Sequence, residues 1–280
     1  MRACGIVTLT TDFGLDDAYV AQLHGALLRA APSPAQGALR IVDVSHAVPP
    51  GDATAALFLS ECAWPAFPAG SVHVLVVDPG VGSDRGLVAI ETAEAWLVGP
   101  DTGVLSSGLP ASMRPAAATA RSPLAGGMAA ADIRETPLAA AEVSRTFHGR
   151  DLMAPVAAAI ASGRGLESVG PAVSVVTVAA PLASPVIDGA GEGRILHVDR
   201  FGNAITSFRA SQAGAAFEVE VGGRTVAGPA ATYAAGGTAV VALPSSSGYV
   251  ELALANGSAA EALGVGRGDP VRLRRRSSGG

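Results

Sequence analysis

The chain has 280 residues, with 19 Lys and Arg against 24 Asp and Glu for a formal net charge of -5; 49% of it is hydrophobic and only 4% aromatic. That length is long for one domain and comfortable for two, at roughly 100–200 residues each, and the modest acidity excludes the basic footprint of a nucleic-acid binder. Cys4 and Cys62 are too few for a disulfide framework; with no run of ~18 uninterrupted apolar residues and no leader-like N-terminus, a cytoplasmic protein without membrane contact is expected.

Residues 6–10 are a β-branched run that hands over to TDFGLDD and then to YVAQLHGALLRAA, whose apolar positions recur at helical spacing. Strand, acidic loop and helix are therefore expected in turn. Asp12 stands at the strand end, and Asp16 or Asp17 stands where a carboxylate caps a helix start. Residues 39–44 predict a second strand, followed by the DVSHAVPPGD loop with Asp43 and His46 and an Ala-rich helix from about residue 52 to 62. The third strand opens SVHVLVVDPGVGSDR, residues 71–85, an apolar run cut off by Asp78-Pro79-Gly80 in the manner of a strand buried on both faces. Open α/β sheets bind ligands beyond the carboxyl ends of their strands, which puts Asp78, Arg85 and Asp12 at the working edge.

Residues 87–90 and 95–98 predict a hairpin, leading to the Gly/Asp turn of GPDTGVLS, while residues 110–142 are weakly patterned and read as short connections. SRTFHGRDLMAPVAAAIASG, residues 144–163, is a polar loop feeding a helix that stops at Gly163, with His148, Arg150 and Asp151 crowding its approach. The alternation predicts a layered α/β domain with a largely parallel sheet over residues 1–180. The Pro- and Gly-containing stretch PAVSVVTVAAPLASPVIDGAGEG then reads as a linker. Beyond it RILHVD, AITSF, FEVEVGG, TAVVALP, GYVELAL and DPVRLRR are short, alternating runs separated by Gly and Pro. They predict a small all-β barrel or sandwich over residues 188–272, with residues 273–280 as a flexible tail.

Asp12, Asp43, His46, Asp78 and His148 could in principle surround a divalent ion, but no HExxH, paired-histidine or DxD spacing supports one, and no metal is expected. The phosphate loops GxxxxGK[ST] and GxGxxG are absent, as is a serine nucleophile elbow. What remains is a set of carboxylates suited to a polyhydroxylated ligand such as a ribose, since an ionised carboxylate accepts from two adjacent hydroxyls. Arg85 and His148 are the groups placed to handle an anion or a water.

The stretches TDFGLDDAYVAQLHG, DVSHAVPPGD, VHVLVVDPGVGSDR, VGPDTGVLS, TFHGRDLMAPVAA, VDRFGNAIT and SSSGYVELA occur in the order found in the S-adenosyl-L-methionine hydroxide adenosyltransferase family, which the chain resembles over nearly its whole length. That family is the hydrolytic relative of the fluorinase and chlorinase enzymes. The resemblance implies an N-terminal α/β domain and a C-terminal β-barrel in a homotrimer, with ligand held between neighbouring subunits. It implies hydrolysis of S-adenosyl-L-methionine to adenosine and L-methionine by in-line attack at the ribose C5′, without metal or separate cofactor. On the matched positions Asp78, Arg85 and His148 become a catalytic triad, members of which halogenating relatives replace. Asp12 becomes the ribose-diol carboxylate, and Asp17 with Tyr19 faces the methionine end. Asp199 meets the methionine amino group, Phe201 and Asn203 meet adenine, and Ser246, Glu251 and Asn256 close the pocket. Ser247 stands where halogenating relatives carry arginine, which alters how the methionine carboxylate is held. The alternatives are a chlorinase-like halogenase of the same fold and a non-catalytic module that binds adenosine or S-adenosyl-L-methionine.

Overall fold

In the computed structural model, which describes residues 1–31 and 38–276, the β-branched runs of the first half become strands alternating with helices. β1 (Ile6–Thr11) leads to α1 (Tyr19–Ala30), β2 (Arg40–Ser45) to α2 (Ala53–Ala63), and β3 (Ser71–Val76) to the Asp-Pro-Gly turn. β4 (Leu87–Glu91) and β5 (Ala95–Pro100) form the expected hairpin. The weakly patterned stretch contains β6 (Thr119–Pro123) and β7 (Ala129–Asp132), and α3 (Ala154–Ala161) precedes β8 (Ala172–Val173) and β9 (Val175–Ala179). Seven of these strands make one sheet in the order β2-β1-β3-β5-β4-β7-β8. The four strands from β2 to β5 are parallel, and β4, β7 and β8 extend the sheet antiparallel.

Alternation along the strands divides the core between two faces. Val7, Leu9, Val74 and Val76 pack with Leu23 and Leu27 of α1 and with Val156 and Ile160 of α3. Leu75, Val77 and Leu97 pack with Ala55 and Ala56 of α2 and with Trp64. Each such leucine or valine contributes roughly 1.5–3 kcal/mol on full burial. Asp52 caps α2, its Oδ1 accepting from the Ala55 N–H at 2.8 Å, a contact worth about 1 kcal/mol. The expected cap on α1 is not formed. The helix starts after Ala18 without a side-chain cap, and Asp16 and Asp17 are both exposed on the bends that lead into it.

The stretch expected as a linker is partly structure. Val176 and Val178 of β9 are fully buried against the α2 face of the sheet, and β9 pairs with β6. The chain separates into the units Met1–Pro181 and Leu182–Gly280. In the second unit come β10 (Ala190–Val198), β11 (Ala204–Arg209), α4 (Ala210–Ala213), β12 (Phe217–Val221), β13 (Arg224–Gly228), β14 (Val241–Pro244), β15 (Tyr249–Ala253), α5 (Ala259–Leu263) and β16 (Pro270–Arg275). All strand pairs are antiparallel in the order β13-β12-β16-β10-β11-β15-β14. The result is a nearly closed barrel, its ends drawn together by the Ala230 N–H donating to the Ala242 carbonyl at 2.8 Å.

Ile195, Phe208, Phe217, Val219, Leu252 and Leu273 fill the barrel. Leu273, Arg274 and Arg275, expected in a tail, belong instead to β16: Leu273 is fully buried, while Arg274 pairs with Glu220 on the barrel surface. Arg276 pairs with Glu218, and the last residues of the expected tail, 277–280, lie outside the described residues.

Candidate active site

The turn after β3 and the loop before α3 meet because two glycines let them. Gly82 has a φ of +80°, and a Cβ there would lie 2.7 Å from the Arg145 carbonyl oxygen. Gly149 opens the wide helical turn Gly149–Met153 that runs into α3, and a Cβ on it would lie 2.8 Å from Val76 Cγ1 at the end of β3. Contacts of under 3 Å admit a larger residue only if something shifts: backbone at Gly82, the Val76 side chain or the turn itself at Gly149. The loop carrying His148 is held from its own side by Asp151, which is buried and accepts from Arg150 and from the Ser144 N–H at 2.8 Å. Burial alone would raise the Asp151 carboxyl, but those hydrogen bonds and the Arg150 charge bring it below its ordinary value. Arg150 also donates to Gln22 of α1 at 2.8 Å.

Asp78, Arg85 and His148 therefore touch. Arg85 Nε donates to both carboxylate oxygens of Asp78, at 2.8 and 2.9 Å, and Nη2 donates to Asp78 Oδ2 as well. The same Nη2 lies 3.0 Å from His148 Nδ1. A guanidinium only donates, so Nδ1 accepts and a neutral His148 carries its proton on Nε2. Burial first, and then the Arg85 charge, lower the His148 pKa, with Asp78 and Asp151 acting in the opposite direction. The neutral imidazole is thus the form present at neutral pH. Arg85 Nη1 takes part in none of these hydrogen bonds. Arg85 and His148 border a cleft of about 570 Å³ whose walls include Asp132, Arg134, Glu135 and Val143.

Other expected residues of the first unit stand near this edge. Asp12 Oδ2 accepts from the Gly51 N–H at 2.8 Å, and Gly51 in turn adjoins Pro79, next to Asp78. Tyr19 packs edge-on against Phe147 at 5.5 Å between centroids, and Phe13 packs on both rings. Asp17 is exposed and belongs to none of these contacts. Phe13 and Phe147 were not singled out from the sequence, although their place beside Asp12 and His148 was a usable signal. Of the five residues weighed as metal ligands, Asp43 and His46 group with His24, while Asp78 and His148 are joined through Arg85.

In the barrel, Asp199, Phe201 and Asn203 form one turn between β10 and β11. Asp199 Oδ1 accepts from the backbone N–H of Phe201 at 2.8 Å and of Asn203 at 2.9 Å, and Oδ2 accepts from Asn203 Nδ2 at 2.9 Å. Phe201 is 77% exposed, so it is not ordinary barrel packing. Ser246 is exposed in the turn between β14 and β15, and Asn256 is exposed with a left-handed φ of 57°. Glu251 of β15 is buried, and burial raises its pKa although a hydrogen bond from Tyr233 acts against that. The same bond pushes the Tyr233 phenol up to about 12. Tyr233 lies in a stretch whose sequence gave no functional signal.

The fold and the site define a two-unit class: a mixed α/β unit with a carboxylate–guanidinium–imidazole group at its carboxyl edge, followed by an antiparallel barrel. The first unit matches the SAM hydroxide adenosyltransferase N-terminal domain over residues 7–170, and the second matches the SAM hydroxide adenosyltransferase C-terminal domain over residues 193–272. The chain belongs to the SAM hydroxide adenosyltransferase family. It is 40% identical over 273 residues to the (R)-S-adenosyl-L-methionine hydrolase of Thermus thermophilus, covering 95% of this chain and 98% of that one. To the (R)-S-adenosyl-L-methionine hydrolase of Salinispora arenicola it is 39% identical over 277 residues, covering 95% and 97%. The crystal structure of an uncharacterized conserved protein from Thermotoga maritima is similar at a TM-score of 0.82 and 29% identity, covering 96% of this chain and all of that one.

Proposed function

We propose that the chain hydrolyses S-adenosyl-L-methionine to adenosine and L-methionine. Water attacks the ribose C5′ opposite the sulfonium; the C5′–O bond forms, the C5′–S bond breaks with its electrons going to sulfur, and the water's second proton leaves to solvent. The observation that carries the mechanism is the Arg85 hydrogen bond to His148 Nδ1. It makes His148 a donor through Nε2, so imidazole and guanidinium together present N–H groups to the oxygen as it gains hydroxide character. Asp78 fixes the guanidinium bidentately and balances its charge. The cleft beside Arg85 and His148 gives water a route to them. Because the sulfonium already leaves readily, positioning and a stabilised hydroxide supply much of the rate, and no strong base is required.

Asp12, Asp17 and Tyr19, with Asp199, Phe201, Asn203, Ser246, Glu251 and Asn256, are proposed to hold the substrate in the roles the family resemblance gives them. The proposal includes a homotrimer with sites shared between subunits, a cytoplasmic location, and no cofactor beyond the substrate itself. No helix among the described residues is long and apolar enough to cross a membrane. Chromatography of an incubation with S-adenosyl-L-methionine tests the reaction: adenosine and methionine in equal amounts are expected. A chlorinated nucleoside formed only with chloride would establish the halogenase instead, and no product above the buffer control would leave a binding module. Sedimentation tests the assembly, since a fully active strict monomer contradicts a shared site.

A further inference from the structure

His24, Asp43 and His46 come from a helix, a strand and a loop, and their ligating atoms lie within 4.8 Å of one another. His24 Nε2 is 2.8 Å from Asp43 Oδ1, and His46 Nε2 is 3.1 Å from the same oxygen. The His46 side chain is only 4% exposed, and its Nδ1 is fixed at 2.8 Å from Thr11 Oγ1. Yet His46 Nε2 has no hydrogen-bond partner among the described residues: it is close to Asp43 but outside hydrogen-bond geometry. If Nδ1 donates to Thr11, a bare Nε2 lone pair faces a carboxylate oxygen. If Thr11 donates, the Nε2–H points at no acceptor. Either tautomer leaves a buried polar atom unsatisfied, which native structures rarely tolerate.

A cation among the three atoms resolves this. Bonds of about 2.0–2.2 Å to nitrogen and carboxylate oxygen place tetrahedral ligand atoms roughly 3.3 Å apart, a little beyond the 2.8 and 3.1 Å that separate the two imidazole nitrogens from Asp43 Oδ1. Thr11 supplies the outer hydrogen bond that typically orients a ligating imidazole, and His24 and Asp43 are partly exposed, so an ion has a way in. We infer that His24, Asp43 and His46 bind a divalent transition-metal ion of the zinc, cobalt or nickel type, as two imidazoles and one carboxylate favour. The site is separate from Asp78, Arg85 and His148 and plays no part in the proposed reaction. Its effect is to brace α1, β2 and the loop after β2. The same loop returns the His46 carbonyl to the Gly14 N–H at 2.7 Å and the Gly51 N–H to Asp12.

The test uses the full chain, freed of any histidine tag and treated with chelator. Zinc uptake by equilibrium dialysis, the visible spectrum on cobalt addition, and thermal melting with and without zinc are measured for the wild type, His24→Ala and Asp43→Asn. One zinc per chain, a structured cobalt absorption and a raised Tm are expected for the wild type. Each variant should bind on the order of 100-fold more weakly, since losing a ligand costs at least what losing an outer partner does, and should lose the Tm shift. Alanine is a good helix former at position 24, so equal melting of wild type and His24→Ala in chelator is the control for folding, and Asp43→Asn repeats the test from the strand. Equal zinc content and equal Tm response in wild type and both variants would overturn the site and leave a metal-free His–Asp–His cluster.

Discussion

Replacing His148 by glutamine and by alanine separates two chemical roles for the imidazole. Glutamine carries a carbonyl oxygen able to accept from Arg85 Nη2, as Nδ1 does at 3.0 Å, and an amide N–H in place of Nε2–H, but it cannot take a proton. Alanine removes both functions. Loss of one preorganised donor to a developing oxyanion typically lowers kcat by about 10²–10³, or roughly 3–4 kcal/mol. His148→Ala should show that loss with KM changed only a few-fold, because the interaction strengthens as charge develops. His148→Gln should stay within about 10-fold of the wild type. Burial and the Arg85 charge hold the His148 pKa below 6.5, so the wild-type rate should fall only below that pH, where protonation of Nδ1 expels the Arg85 donor; His148→Gln should lack this acid limb. Initial rates of adenosine release across substrate concentration and pH measure all three. A glutamine variant as slow as the alanine variant would refute the donor role and make His148 a base.

Gly149→Ala places a methyl 2.8 Å from Val76 Cγ1 and so shifts the turn that carries His148; a displacement of about 1 Å predicts roughly 100-fold lower kcat with little change in KM, and unchanged kinetics would contradict the packing argument. His73 is buried, stacked on Trp64 at 4.8 Å between centroids, and hydrogen-bonded to Thr8, and burial lowers its pKa to about 4. The unfolded chain binds this proton below 6.5 and the folded chain does not, so His73 makes stability fall as pH drops from 6.5 to about 4, by about 3 kcal/mol in all. Urea unfolding of the wild type and His73→Gln at pH 7 and pH 4 should differ by that amount in pH dependence; equal dependence counts against it. Tyr233→Phe removes the hydrogen bond that eases the buried Glu251 carboxylate. It should cost about 1 kcal/mol at pH 7, a low figure because Tyr233 is 49% exposed, and less at pH 4, where Glu251 is protonated; the reverse order would exclude a charged Glu251.

The strand-end carboxylates were legible because a β-branched run broken by Asp-Pro-Gly has few other structural meanings, and β3 does end just before Asp78. Local punctuation misled where it competed with periodicity. In β9 the alternation of Val176 and Val178 is real, but neighbouring prolines and glycines outweighed it. In β16 the arginines that suggested a tail are the solvent face of a strand whose other face buries Val271 and Leu273, and Arg272 and Arg274 find Glu192 and Glu220 on the adjacent strands β10 and β12. Such exposed pairs contribute little stability; the buried face is what holds the strand.

Side-chain meetings that depend on register were beyond any spacing rule. β1 and β2 run parallel with Leu9 opposite Asp43, and opposed residues of a parallel pair share a face. Leu9 packs with Leu23 and Leu27, so α1 covers that face, and His24, one residue beyond Leu23, reaches the Asp43 carboxylate. A paired-histidine motif within one element could not reveal this group, because its members belong to three. The triad obeys the same logic. The identities of Asp78, Arg85 and His148 were readable, but the Arg85 hydrogen bond to His148 Nδ1, which leaves Nε2 as the donor, depends on how closely two glycines allow their loops to approach.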